Sequence, residues 1–356
     1  MCITDFCDDF ARKNGIIPLK TDVLNDKKFS TFKKQWVNHN CDNFFKHKLI
    51  CTSPVPTCSS PGVGGMAADS EQQPLIAVLA ATTTRRVKQP AIHKIALFTL
   101  LLPSLVRTLD CGFRYVYVMG YDVGDAYYDN KKGLDEVNAW FTKEIELPMQ
   151  ALGIHITLAT VRVDNKVKKP GPVFLAMARR AYSLGADFFY RVNDDTEFRG
   201  HWPKAFTEAL MSQPPPYGVI GPASLTSNLV ILTHDFVHRT HMDIMQLDYY
   251  PVELPDWWMD NWISRVYGAK RTFYSEDAVV MHHTYAHGQR YEVNRGNQKF
   301  LPKTLARGRR MISAWMQKHN VSAEEVDTFN KDQSFKKTFK FTEIKTLKNV
   351  KAKLKL

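Results

Sequence analysis

Between Tyr190 and Phe198 the chain reads Tyr-Arg-Val-Asn-Asp-Asp-Thr-Glu-Phe, which crowds the oxygen-bearing side chains of Asn193, Asp194, Asp195 and Glu197 together. Carboxylates this close repel one another and lose hydration unless something positive lies between them. A divalent cation that prefers hard oxygen ligands, Mg²⁺ or Mn²⁺, would resolve that conflict. The plainer reading is an acidic turn closing a strand. Asp195 belongs to both ligand spacings, Asn193-x-Asp195 and Asp195-x-Glu197, so it is the first candidate for a direct ligand. Asp194 is placed to contact a ribose or to orient a neighbour. Far downstream, His282 and His283 end the short apolar run that starts at Val279. Side chains alternate along a strand, so only one of the two imidazoles can face the acids. A carboxylate with an imidazole suits Mn²⁺ better than Mg²⁺.

A second group of candidates is Asp256 and Asp260, set among Trp257, Trp258 and Trp262. A carboxylate at the start of an aromatic-walled helix can take a proton from an incoming hydroxyl. Indole faces stack on the C–H face of a sugar. Asp256 is equally the N-cap such a helix needs. His234, His238 and His241 share one face if residues 235–245 are helical, but the Glu of a His-Glu-x-x-His zinc helix is missing. They read instead as a face lining a substrate cleft. Arg85, Arg86, Lys270, Arg271, Arg290 and Arg295 fall in loops where a diphosphate can use them. Surface solvation explains any one of these cations singly.

The elements that must hold these residues alternate. Leu75 to Ala81, Phe113 to Met119, Ile154 to Val161 and Phe188 to Val192 are short apolar runs that read as buried strands. Ile92 to Leu109 (with a kink expected at Pro103), Asp135 to Ala151 and Pro172 to Leu184 have helical spacing, the last closed by Gly185. Strand and helix alternating at this length predict an α/β fold with a mostly parallel sheet of βαβ units. Ligands of such sheets bind beyond the carboxyl ends of the strands, where the acidic cluster falls. Further on, Tyr217 to Gly221, Leu229 to Leu232 and Val279 to His283 are predicted strands. Asp235 to Met245, the stretch after Asp256 and Ala306 to His319 are predicted helices.

Three segments follow: an N-terminal extension with a Pro/Gly/Ser-rich linker over 1–74, a catalytic domain over 75–318 and a basic tail over 319–356. The formal charge of +12 is concentrated at the end. From Lys331 to Leu356 nine Lys face only Asp332 and Glu343, leaving a mildly basic body. Ile344, Leu347, Val350 and Leu354 make that tail a predicted basic amphipathic helix, suited to an anionic membrane surface or to packing on the domain. The first ten residues have no basic or apolar region of a secretory signal, and Ile95 to Val106 is too short to span a bilayer. A cytoplasmic protein with free thiols is expected. A bridge among Cys41, Cys51 and Cys58 is the alternative weighed.

These blocks resemble a known family. Tyr190 to Phe198 resembles the DxD strand end of GT-A fold glycosyltransferases. Leu232-Thr-His-Asp-Phe-Val-His-Arg-Thr-His241, Trp257-Trp-Met-Asp-Asn-Trp-Ile-Ser-Arg-Val-Tyr-Gly268 and His282-His283 with Gly288-Gln-Arg-Tyr-Glu292 resemble glycosyltransferases of algae, protists and the large DNA viruses that infect algae. The likeness covers roughly 75 to 318. It implies a GT-A, Rossmann-like domain that transfers a sugar from a nucleotide-sugar, usually a UDP-sugar, to a hydroxyl of a glycan or glycoprotein. Mn²⁺ or Mg²⁺ would bind the diphosphate through Asn193, Asp195 and His282 or His283. Thr82, Thr83, Thr84, Arg85 and Asp122 would hold the nucleoside, with Asp194 and Arg290 nearby. Asp260 matches the base of inverting members, with Asp256 beside it. Trp257, Trp258, His234 and His238 would meet the acceptor. Asn193 departs from the usual Asp and is a weaker ligand.

Two other classes are weighed. A sugar nucleotidyltransferase would carry a Gly-rich loop after the first strand, and Ala81-Thr-Thr-Thr-Arg-Arg86 has no Gly. A nucleic-acid binder would use the lysine tail, but the body lacks a basic stripe with interleaved aromatics.

Overall fold

The computed structural model describes Cys58 and residues 73–224, 231–284, 286–288 and 290–336, with the backbone alone at 276 and 277. The N-terminal extension up to residue 57, most of the linker, Leu229 and Val230, and the predicted amphipathic tail helix lie outside the described residues.

The strands are β1 (Leu75–Thr82), β2 (Arg114–Asp122), β3 (His155–Val163), β4 (Phe188–Asn193), β5 (Thr196–Phe198), β6 (Val219–Ser224), β7 (Asp235–His238) and β8 (Thr272–His282). They form one eight-stranded sheet in the order β3-β2-β1-β4-β7-β6-β8-β5. β1 pairs in parallel with β2 and β4, β2 with β3, and β6 with β8, while β7 and β5 run antiparallel to their neighbours. Alternate residues of β1 serve two cores: Ile76, Val78 and Ala80 one, Ala77 and Leu79 the other. A sheet buried on both faces needs helices on both. Helices α1 (Leu102–Val106), α2 (Lys131–Phe141), α3 (Leu147–Ala151), α4 (Pro170–Ser183), α5 (Pro203–Met211), α6 (Thr240–Ile244), α7 (Trp258–Val266), α8 (Leu301–Lys318) and α9 (Ala323–Lys331) supply them. The first three and α5 cover one face, and α4 with α6 to α9 the other. This is the mostly parallel α/β architecture, flanked by helices, that the pattern predicts.

The sheet register fixes the site. Ala81 lies level with Gly120 and with Asn193, so Thr82, Asp122 and the acidic turn emerge together at the carboxyl ends of three adjacent strands. After Asn193 the chain turns through Asp194 and Asp195 into β5, which crosses to pair with β8 and sets Thr196 opposite His282. The late histidines therefore reach the acids through strand pairing.

Three local readings are corrected. Residues 235–238 are a strand, and only Thr240–Ile244 is helical. Phe236 buries in one core and Val237 in the other, which is strand alternation and not a helical face. At Pro103 the expected kink is a widened turn. The π-helical turn Leu97–Leu101 precedes α1, and Thr142–Glu146 likewise precedes Pro148 in α3. Proline lacks an N–H and clashes with the carbonyl four residues back, a conflict the longer π repeat relieves. Finally, Cys58 and Cys111 form a disulfide with Cα atoms 5.6 Å apart, against the expectation of free thiols. Cys58 N donates to Leu152 O (3.0 Å), so a residue distant in sequence is held beside the start of β3 as well as that of β2. Among the described residues no helix is long and apolar enough to cross a membrane.

Candidate active site

A cavity of about 580 Å³ opens at the carboxyl ends of β1, β2 and β4. Its wall includes Asn193, Asp194, Asp195 and His282. Asp195 Oδ1 and His282 Nε2 stand 2.8 Å apart, yet that buried oxygen has no aligned hydrogen-bond partner. Two ligands of one cation approach each other in this way. Asn193 Nδ2 donates to Thr233 O (3.4 Å), so its amide is fixed at the cavity wall. Burial pushes the Asp195 carboxyl up, but the His282 contact and the charges of His282 and Arg290 outweigh it and hold its pKa below the ordinary value. A carboxylate, an imidazole and an amide oxygen fit Mn²⁺ or Mg²⁺ chemically. Among the described residues, however, no three His, Cys, Asp or Glu side chains converge on one point. Such a cation would complete its shell with Asn193, water and ligand oxygens.

Asp194 is committed elsewhere. It takes both ends of the Arg290 guanidinium, one of them at 2.5 Å, and the Thr82 hydroxyl at 2.8 Å. Arg290 Nη2 also lies 3.9 Å from Asp195 Oδ2, so one buried cation serves both acids. The neighbouring wall of the cavity is built on Asp122. Its Oδ2 accepts from Arg85 Nη2 (3.0 Å) and its Oδ1 from Asn165 Nδ2 (2.8 Å). Burial raises its pKa against those two donors. Lys168 and Lys169 line the same wall.

Asp260, in the first turn of α7, lines the same cavity. Burial raises its pKa to about 6, although Arg191 pulls it down. Arg191 Nη2 donates to Asp260 Oδ1, and Arg191 Nε donates to Asp235 Oδ2 (3.0 Å) and Tyr250 Oη (2.9 Å). Asp235 in turn accepts from the Tyr249 and Tyr250 hydroxyls at 2.8 and 2.6 Å. Trp257, 55% exposed, stands on the cavity wall as an open aromatic face.

Of the residues singled out in the sequence, Thr82, Thr83, Arg85, Asp122, Asn193, Asp194, Asp195, Trp257, Asp260, His282 and Arg290 line this cavity. Others do not reach it. Thr84 bonds Asp125 through both its N–H (2.7 Å) and its hydroxyl (2.7 Å), and so shapes the loop from behind. Asp256 is fully buried and accepts from Asn294 N (2.9 Å). It is neither the cap of α7, which Trp257 occupies, nor a cavity group. Trp258 turns its indole N–H to Asn294 O (3.2 Å). His283 points to the far face, 2.8 Å from Glu197. Burial works against Glu197, but His283 and Arg199 win and lower its pKa to about 2.

His234 is buried beside Thr196 Oγ1 (2.6 Å), and burial, then the charges of His282 and Arg191, drive its pKa well below normal. His238 packs edge-on to Phe188 on the strand, away from the cavity. With residues 235–238 extended and His241 in α6, the three histidines do not form the helical face expected of them. Sequence reasoning missed Arg191, Asp235 and Asn165. The charge of Arg191 inside an apolar strand was the only available clue, since a buried cation needs buried partners.

No protein-family model matches the sequence, and a search of curated proteins finds no match. Solved structures that the chain is similar to include S. aureus TarS 1-349, at 12% identity and a TM-score of 0.37, covering 71% of this chain and 68% of that one. TarS 1-349 in complex with UDP is 13% identical, with a TM-score of 0.37 and coverage of 77% and 78%. A longer S. aureus TarS is 12% identical with a TM-score of 0.38. There the match spans 70% of this chain and 44% of that one.

Proposed function

We propose that this chain is a metal-dependent glycosyltransferase that moves a sugar from a UDP-sugar to a hydroxyl of a glycan or glycoprotein. The observation that carries the reading is that one cavity is lined by both the Asp195–His282 pair and the raised-pKa carboxylate of Asp260. The pair suits a diphosphate and its cation, and the carboxylate an acceptor hydroxyl.

In this reading Asp122, held by Arg85 and Asn165, receives the nucleoside, and Arg290 lies where the diphosphate must pass. Asn193, Asp195 and His282 would hold Mn²⁺ or Mg²⁺, which when bound neutralises charge gathering on the leaving diphosphate. Of the two late histidines His282 takes this part, because His283 faces Glu197. Trp257 offers its ring to the C–H face of the acceptor sugar. Asp260 accepts the proton of the acceptor hydroxyl as its oxygen attacks the anomeric carbon and the bond to the diphosphate breaks. A pKa near the working pH is what such a base needs.

The test is a panel of nucleotide-sugars with Mn²⁺, read by nucleoside-diphosphate release and thermal shift. A UDP-sugar response is expected, abolished by chelator and reduced at least about 100-fold in Asp195→Ala, since even outer partners of a metal site are worth 10- to 100-fold. A response that survives chelation overturns the metal half of the reading, and silence across the whole panel overturns the donor.

A further inference from the structure

We propose that Arg191 is the positioning residue of Asp260, a role that rests on the reading of Asp260 as the acceptor base. Its guanidinium, locked by Asp235, Tyr250 and the Thr233 carbonyl, turns the carboxylate toward the acceptor. A cation on the wall of a diphosphate cavity would ordinarily be assigned to phosphate. Arg191 is not available for that: it is 1% exposed and each of its three nitrogens is committed. Nε serves Asp235 and Tyr250, Nη1 serves Thr233 O (2.5 Å) and Nη2 serves Asp260.

The division of labour between the two carboxylates follows from their other partners. Asp235, fully buried, accepts from Arg191 and from both tyrosine hydroxyls, so it is saturated. Asp260 has Arg191 as its only side-chain partner among the described residues, on Oδ1, while its residue lines the cavity. One guanidinium thus shares its charge between two acids, and Asp260 keeps an uncommitted oxygen. The planar fork fixes direction as well as distance, which an ammonium cannot do. Ser264 Oγ donates to Asp260 O (2.6 Å) and steadies the backbone from the other side.

The experiment uses the full chain and the UDP-sugar that responds in the panel. It measures kcat and KM for UDP release with water as acceptor, and UDP affinity by calorimetry, for Arg191→Lys, Tyr250→Phe and Asp260→Asn. Loss of orientation is expected to lower kcat about 100-fold in Arg191→Lys and about 10-fold in Tyr250→Phe, with KM and UDP affinity within about twofold of the parent. Should Arg191→Lys fail to fold, Tyr250→Phe, which removes one hydroxyl from the lock, decides alone. Parental kcat in the variants that fold overturns the proposal. So does a fall in UDP affinity that matches the fall in kcat, because a merely structural role predicts that. Parental kcat in Asp260→Asn removes the base reading itself. An inactive Asp260→Asn beside unimpaired Arg191 and Tyr250 variants removes only the positioning role.

Discussion

Asp260 is pushed in opposite directions: burial favours its neutral form, and the adjacent guanidinium favours its charged one. Burial wins by enough to bring its pKa to about 6. An ordinary aspartate would stay ionised two pH units lower, so the acid limb of kcat/KM should lie near pH 6 and fall about tenfold per pH unit below it. The sign for stability is the reverse of the sign for activity. A carboxyl whose folded pKa is raised costs stability when ionised, and the fold regains that cost as pH drops from above 6 toward the unfolded value. Glu197 adds nothing in this window. Its pKa, lowered to about 2, keeps its contribution intact until pH falls below the unfolded carboxylate value. The buried imidazoles of His234 and His241, whose pKa values burial lowers, have the opposite sign: below the unfolded imidazole value the unfolded chain binds protons that the folded one does not, so the parent's thermal midpoint should fall between pH 7 and 5. The share of Asp260 is read by difference: the midpoint of Asp260→Asn should fall more steeply than the parent's over that range, and parallel melting profiles of the two proteins would remove Asp260 from this role. The carboxylates were legible because acids crowd visibly in a sequence. Arg191 and Asp235 were not, since their pairing spans β4 and β7 and no spacing records it.

The elements show the same boundary between what pattern shows and what only pairing shows. β1, β2 and β4 were legible because each is a mostly apolar run buried on both faces, whereas β3, at the sheet edge, is half-buried or exposed apart from Ile156. β7 was misread because four residues, Asp-Phe-Val-His, are too few to separate strand alternation from helical spacing. A close backbone approach links α4 to the segment that leads into α7. Gly171 N donates to Pro255 O (2.9 Å), and a Cβ on Gly171 would lie 2.7 Å from Pro255 Cα and 2.9 Å from its O. The obstacle is backbone, so no rotamer change relieves it. Gly171→Ala should cost about 1–3 kcal/mol by overpacking, more than the tenths to one recovered from helix propensity. Because the displaced segment carries Trp257 and runs into the turn of Asp260, kcat should fall with stability. Denaturant melts and UDP release measured together on this variant test the link, and a stable, fully active Gly171→Ala would break it.

At the scale of the whole described unit, the two ends of the parallel strands have different work. The carboxyl ends gather Thr82, Asp122, Asn193 and the acidic turn, while the amino ends of β2 and β3 are tied through Cys58 and Cys111. The disulfide closes a loop of 53 residues, and constraining a loop of that length in the unfolded chain is worth at most about 4 kcal/mol, with 2–4 typical. Its spacing could not be read from the sequence, because the two sulfurs meet only after β2 and β3 have paired. Cys111→Ser should therefore lower unfolding free energy by about 2–4 kcal/mol in denaturant. Well below the melting transition the same variant should keep the parental KM and kcat, because nothing at the carboxyl ends touches the bridge. A stability difference between parent and variant that is present in oxidised samples and disappears when both are reduced identifies the bridge as the source. A Cys111→Ser protein as stable as the oxidised parent would show that the sheet and its two cores hold that end without the tie.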